Sequence, residues 1–524
     1  MWRILCNFLI LPLLIRGALV ENHVDRVHKL PGYDSPLPSA WYSGFLNYEL
    51  DGHQIHTHYI FVEAEKIEER TSKSSPTPII YWSNGGPGAS SMFGLLTELG
   101  PLILSDDSLL TPSYRETGIP TLLYNTHSWT RLGHLLIFDA PAPVGYSHCD
   151  NNQNHSECSV SWTDELASEN TFLAFQTFLH TKFPVLLRAP IYLTGESYAG
   201  IYIPTLARRM VQQNEQDQKS QKPVPSFNLQ GFAVGDGCLG TETGICGSLS
   251  GRRFDYWLVL FLAGHGQIPL STYHQVLTSC GSGSSSTVDP SLRKLKNMEN
   301  DLKDACQDAL DKVQQEVGGY YEYSLYDECG SRNGLLTGAE NDYPCGGGVV
   351  MEQYVNLQVV KDALNSPNAT YFSVDNAENF DYTPTEKDVS GFYKSQVGKL
   401  KMLVYNGDTD PAITSFAAQN WTSHLTLQEW QSWRPWTIDG CQQMGGYVIR
   451  YDGGLDFLTI RGAGHLVPTY KPKAAFVMMK NWIDGIDYPH FSTTTTNQNN
   501  NNNNKCVGSS KAKLDDTLMV KSQE

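Results

Sequence analysis

Short apolar runs that end in Gly or Asp alternate with longer amphipathic stretches along most of this chain. The runs cover residues 79–83, 134–139, 191–194, 229–234, 401–405 and 457–460. Continuous β-branched and aromatic runs of this length fit strands buried on both faces, and the helical stretches between them fit crossover helices. The pattern predicts an α/β fold with a mostly parallel central sheet flanked by helices. Several runs lead straight into Gly-rich turns, and sheets of this kind place their ligands at the carboxyl ends of strands.

The pattern breaks after Gly237 and resumes near Leu400. The intervening stretch holds a Gly/Ser tract at 281–286 and a charged helical run at 291–315. The expected organisation is a signal peptide over 1–20, a first core part over 21–237, an inserted cap over 238–345 and a second core part over 346–490. An Asn-rich tail over 491–524 has nothing apolar to bury and is expected to be disordered. A removable activation peptide is expected in the cap, around 282–287.

Composition refines this picture. The chain has 524 residues, 40% of them hydrophobic, enough for a large core. Its formal net charge of −17 argues against nucleic-acid binding, which needs clustered Lys and Arg. Arg3, an apolar stretch broken by Asn7 and Pro12, and small residues Gly17 and Ala18 read as a cleaved secretory signal. That stretch falls short of the ~20 residues a membrane span needs, and no later segment is apolar enough to span. Ten of the eleven cysteines follow the signal, where an oxidising compartment would pair most of them. Cys149 with Cys158 and Cys329 with Cys345 bracket short loops and are expected pairs. The connectivity of Cys238, Cys246, Cys280 and Cys306 is left open, and Cys441 and Cys506 are either free or joined. Sequons at Asn154, Asn368 and Asn420 agree with secretion.

The chemistry centres on Ser197. A β-rich run precedes it and a helical stretch follows, with small residues Gly195 and Ala199 two positions to either side. A nucleophile elbow needs that smallness because the turn is too tight for side chains. In such enzymes an acid and a histidine follow in that order. A strand ending in a Gly turn offers Asp408 and Asp410, and a Gly-rich loop after a later strand carries His465. An oxyanion hole takes two backbone N–H groups. Tyr198 supplies one, and Gly86, in the Gly-rich loop after residue 83, supplies the other. His53, His56 and His58 raise the alternative of a metal site, but no nearby Cys or carboxylate completes a tetrahedral set. They read instead as part of a surface strand, and neither metal nor cofactor is expected.

With these motifs in place, the chain resembles the serine carboxypeptidase family from about Leu30 to Trp482. The resemblance rests on five motifs in order: Trp82 to Gly88, Phe138 to Ser147, Gly195 to Pro204, Tyr405 to Asp410, and Gly462 to Pro468. It implies the α/β-hydrolase fold and makes Ser197, Asp410 and His465 the catalytic residues, leaving Asp408 to shape the turn. It implies that Glu196 pairs with Glu98 and shares a proton, so that the pair donates a hydrogen bond to a substrate's terminal carboxylate. Asn84 and the Gly85 N–H would complete that clamp beside Trp82. Ile413 and Leu466 would line the pocket for the last substrate residue and favour apolar side chains. The family usually carries a disulfide where this chain has Ala89 and Val374, so one bridge is expected to be missing.

The leading expectation is therefore an exopeptidase that removes C-terminal residues of peptides or proteins at acid pH, in a lysosome, a vacuole or outside the cell. An acyltransferase on the same scaffold is the enzymatic alternative. From a different class, the chain could act as a protective binding partner of another lysosomal enzyme, a role the triad does not exclude, and it could form a homodimer.

Overall fold

All six apolar runs become strands of one sheet. The computed structural model describes residues 23–65, 76–150, 158–221, 226–243, 245–246, 256–280, 300–327, 329–332, 335–337 and 345–492. The signal segment, Asn154, Cys506, residues 282–287 and the tail beyond 492 lie outside the described residues. In chain order the strands of the sheet are β1 (Arg26–Val27), β2 (Trp41–Leu50), β3 (His53–Val62), β4 (Ile79–Ser83), β5 (His134–Phe138) and β6 (His148–Cys149). They continue with β7 (Ile191–Glu196), β8 (Leu229–Gly235), β9 (Lys401–Gly407), β10 (Glu429–Thr437), β11 (Met444–Tyr451) and β12 (Leu455–Ile460). Their spatial order is β1-β2-β3-β5-β4-β7-β8-β9-β12-β11-β10, with β6 beside β3. From β5 through β12 the neighbouring strands run parallel, and the flanking strands run antiparallel.

Alternation along these strands sends side chains to two separate cores. Tyr81, Leu193, Phe232 and Val404 face helices α1 (Asp164–Thr177) and α2 (Ala199–Lys219). Trp82, Tyr192, Leu403 and Leu458 face the opposite side, against Leu95, Leu99 and helix α7 (Pro472–Asp484). Every residue of β4 and β7 is buried, which is why Ile79–Trp82 and Ile191–Leu193 read as uninterrupted apolar runs.

Between β8 and β9 the chain forms helices α3 (Tyr256–Gly264), α4 (Leu270–Cys280) and α5 (Asn300–Val317). They share an apolar cluster of their own, including Phe261, Val276 and Val313. Helix α6 (Ser415–His424) follows β9 and packs its Trp421 into the first core. The expected Cys149–Cys158 and Cys329–Cys345 bridges form. The four cysteines left open pair as Cys238–Cys246 and Cys280–Cys306, and Cys441 is also disulfide-bonded.

The β2–β3 hairpin corrects one expectation. Its turn is Asp51-Gly52, both at positive φ (49° and 76°), as a type I′ hairpin turn requires. The histidines of β3 are not a surface set, because β3 is flanked on both sides and His58 is wholly buried. His56 is committed to Asn47 and Asp150 and stacks on His148.

The Ser43 hydroxyl donates to the Leu364 carbonyl at 2.7 Å, so the bond between Ser43 Oγ and His58 Nε2 at 2.9 Å must be donated by the imidazole. His58 Nδ1 lies 2.7 Å from Asp139 Oδ2, and Asp139 Oδ1 accepts from Ser90 Oγ at 2.6 Å. A buried His–Asp pair thus ties β2 and β3 to the Gly-rich loop after β4. Removing one partner strands the other without water. His58→Ala is therefore expected to lower unfolding free energy by about 3–5 kcal/mol, read from urea unfolding followed by Trp fluorescence.

Candidate active site

The carboxyl ends of β4, β7, β8, β9 and β12 meet at one end of the sheet. Between β7 and α2, Ser197 adopts φ +62°, a left-handed conformation that costs energy for any residue with a β-carbon. The surrounding backbone enforces it. Ser197 N donates to Gly235 O at 3.0 Å, and Ser197 O accepts from Gly200 N at 2.9 Å and Cys238 N at 3.0 Å. A β-carbon at Gly195 would lie 2.6 Å from Ser83 O and 2.7 Å from Ala199 Cβ. One at Gly200 would lie 2.2 Å from Cys238 O. The small residues around the serine are therefore steric requirements of the turn.

The Gly-rich loop after β4 sits directly on this elbow. A β-carbon on Gly85 would come within 2.3 Å of Tyr198 N and 2.8 Å of Ser197 Cβ. Gly86 has φ +102°. Where a disulfide is missing, hydrogen bonds join the same two segments: Val374 N donates to Gly88 O, Ala377 N to Pro87 O and Ser90 N to Ser373 Oγ, each at 3.0 Å. Tyr198 is anchored at its far end, its hydroxyl donating to Asp164 Oδ1 at 2.7 Å. Asp164 is 2% exposed and also receives the Tyr382 hydroxyl at 2.6 Å. Sequence reasoning missed Asp164, whose place at the start of a polar helix face gives no signal of its partners.

Glu98, Glu196 and Asn84 meet beside the elbow, all buried. Asn84 Nδ2 donates to Glu196 Oε1 at 2.9 Å and to Glu98 Oε1 at 3.3 Å. Its Oδ1 is held by Trp82 Nε1 at 2.9 Å and Gly94 N at 3.0 Å, which fixes the amide's orientation. Burial lifts the Glu98 carboxyl to about 7, against the lowering effect of its bonds to Glu196 and Asn84. Burial, then the charge of Glu98, pushes Glu196 well above the ordinary carboxylate range. Glu98 Oε2 and Glu196 Oε2 are buried without a hydrogen-bond partner among the described residues.

His465 Nδ1 lies 2.7 Å from Asp410 Oδ2. Asp410 is wholly buried, and its carboxylate is held by Ala412 N at 2.8 Å and Ile413 N at 3.2 Å. Burial favours the neutral imidazole, but Asp410 outweighs it and His465 is raised above its ordinary value. Its Nε2 is buried and unpartnered among the described residues. Asp408 accepts from Gly462 N at 2.6 Å, so it braces the histidine loop. Ile413 is buried and Leu466 half-buried.

Two further neighbours carry no sequence signal. Tyr323 stacks on His465 at 4.8 Å and accepts its backbone N–H at 2.8 Å, while Asp236 lies beside Asp410. Asp236, Asp410 and His465 offer donor atoms within 4.8 Å of one another, but Asp410 Oδ2 and His465 Nδ1 are already bonded together, which favours a proton network over a cation site.

A parallel sheet with a strained serine at its strand–helix elbow, an aspartate–histidine pair and a facing Gly-rich loop defines a serine hydrolase of the α/β-hydrolase type. The family model for serine carboxypeptidases matches residues 31–485, and the chain belongs to that family of exopeptidases. Serine carboxypeptidase 1 of Hordeum vulgare is 26% identical over 88% of this chain and 92% of its own length. Lysosomal protective protein of Mus musculus is 28% identical, covering 88% of this chain and 94% of that protein. Among solved structures, Kex1(delta)p, a prohormone-processing carboxypeptidase from Saccharomyces cerevisiae, superposes with a TM-score of 0.59 at 17% identity. It covers 85% of this chain and 92% of the yeast chain, and shares the fold.

The contact at Gly85 generates a direct test. Gly85→Ala is expected to slow covalent labelling of Ser197 by a fluorophosphonate on the order of 100-fold, the scale of losing one oxyanion donor. Far-UV circular dichroism should be unchanged; labelling at the wild-type rate would show that the loop does not press on the elbow.

Proposed function

We propose that this protein hydrolyses the C-terminal peptide bond of peptides and proteins by a Ser197–His465–Asp410 triad, and that it reads the free terminal carboxylate through Glu98 and Glu196. The observation that carries the reading is the buried two-glutamate, one-amide cluster next to the elbow. Two carboxyls that close cannot both ionise cheaply, so one keeps a proton and can donate it to an incoming carboxylate. Asn84, the Gly85 N–H and Trp82 frame the same corner.

In this reading the chemistry is acyl transfer through Ser197. Ser197 Oγ attacks the scissile carbonyl as His465 Nε2 takes its proton, and Asp410 stabilises the imidazolium. The N–H groups of Gly86 and Tyr198 receive the oxyanion. His465 then returns the proton to the departing amino acid's nitrogen, leaving an acyl-enzyme on Ser197 that water hydrolyses by the same steps in reverse. Ile413 and Leu466, both aliphatic, favour an apolar last residue. Asn368 is exposed and Asn420 half-buried, and with Asn154 they are the candidate glycosylation positions. Together with the disulfides, they support a protein of the secretory pathway, in a lysosome or vacuole or outside the cell. No helix of the described residues is long and apolar enough to cross a membrane.

The pH dependence has a definite sign. Both glutamates are raised, so the pair is protonated at acid pH, and Glu98 ionises as pH rises through about 7. Ionised, it repels a substrate carboxylate. Protonation of the pair also removes one of the charges that raises His465. For an N-blocked dipeptide ending in Phe or Leu, kcat/KM should therefore fall above about pH 7, mainly through KM, whereas the corresponding ester should fall less over the same range. Equal profiles for acid and ester would remove the clamp from the mechanism.

Ser197→Ala should abolish turnover of both substrates, a loss of roughly 10⁶ in kcat on the scale of triad serines. Glu196→Gln should raise KM for the free acid far more than for the ester.

A further inference from the structure

Beyond β8 the chain turns at Asp236, a residue that no step above uses. Its carboxyl is wholly buried and its backbone is in the left-handed region at φ 41°. Its N–H is held by Tyr405 O at 2.8 Å. Asp236 Oδ1 accepts from Asn406 Nδ2 and from Gly407 N, each at 3.0 Å, and Oδ2 lies 3.1 Å from the same Gly407 N. Asn406 is held in turn by Ile413 O at 3.0 Å. The other side of Asp236 faces Asp410, and one atom each of Asp236, Asp410 and His465 lie within 4.8 Å of one another. The titratable groups facing it are Asp410, His465, Glu196 and the buried Tyr405 hydroxyl.

Two buried carboxylates in contact repel each other strongly unless a proton lies between them. Asp410 already accepts from two backbone N–H groups and from His465, so it is the better-stabilised anion. The proton belongs on its neighbour. We propose that Asp236 is a positioning residue of the triad: it stays protonated and donates a hydrogen bond to Asp410, fixing the carboxylate that orients His465. This inference rests on the reading of Ser197, Asp410 and His465 as the triad. Burial, then repulsion from Asp410, pushes Asp236 well above the ordinary carboxylate range, in agreement with the geometry. Ionisation of Asp236 would remove that donor and set a second negative charge against Asp410. The nucleophile should then lose reactivity on the alkaline side even when the substrate carries no carboxylate.

The test uses the full chain and an alkyl fluorophosphonate, which reacts through the triad without needing the glutamate clamp. Inactivation rates are measured against pH for wild type, Asp236→Asn and Asp236→Leu, with circular dichroism on each. Asn donates an N–H at every pH. It should match wild type within about threefold at acid pH, a fraction of the tenfold to hundredfold worth of one charge-assisted hydrogen bond, and should lack the alkaline fall. Leu, of similar size but without a donor, should react roughly tenfold to a hundredfold more slowly throughout. A Leu variant as fast as wild type, or an Asn variant that keeps the wild-type alkaline fall, would overturn the proposal. So would a wild-type rate that does not fall at alkaline pH. Cleavage of the blocked dipeptide is followed in parallel. Its absence alongside normal fluorophosphonate labelling would count against the carboxypeptidase reading while leaving the role of Asp236 decided by the variants.

Discussion

Backbone meets backbone around Ser197 with no space for intervening side chains, and the remaining architecture serves that contact. The serine is held in a left-handed conformation by donating to the carbonyl at the end of β8 and accepting from the Cys238 N–H. The loop after β4 rests on Tyr198 N through Gly85. Adjacent parallel strands bring these segments to the same end of the sheet, because a parallel ladder aligns all carboxyl ends. Asp236, Asp410 and His465 arrive by the same rule after β8, β9 and β12. The Asp139–His58 pair and the Asp164–tyrosine cluster then pin the loop and the elbow from behind.

Buried acid is the second theme. Glu98, Glu196, Asp236, Asp410, Asp164 and Asp139 are all at most 2% exposed, in a chain that is already strongly negative. Each is stabilised differently. Asp164 and Asp410 collect hydroxyl and backbone donors, Asp139 faces an imidazole, and the remaining three gain least from donors and are pushed upward in pKa.

The sheet's parallel centre was legible because strands buried on both faces leave unbroken apolar runs. The flanking strands were not. β10 alternates poorly and has many exposed positions, and the β2–β3 hairpin is marked only by its Asp51-Gly52 turn. His58 reads as a surface residue for a related reason: its buried partners Ser43 and Asp139 are not its sequence neighbours. In the site, Ser197 and His465, with Asp408 or Asp410 as the acid, could be proposed from order and local glycines, and the choice of Asp410 and the pairing of Glu98 with Glu196 from family resemblance. Asp236, Asp164 and Tyr323 could not, because each matters through a contact far away in the chain rather than through its own sequence neighbours.

The two margins of the sheet differ from its centre in a way that bears on assembly. One margin is β1, only two residues long. The other is β10, whose pairing with β11 slips register at three places and which carries Pro435. A strand so short or so irregular offers no continuous row of free peptide groups to a second molecule. Neither β1 nor β10 is therefore a good template for sheet extension by a second copy.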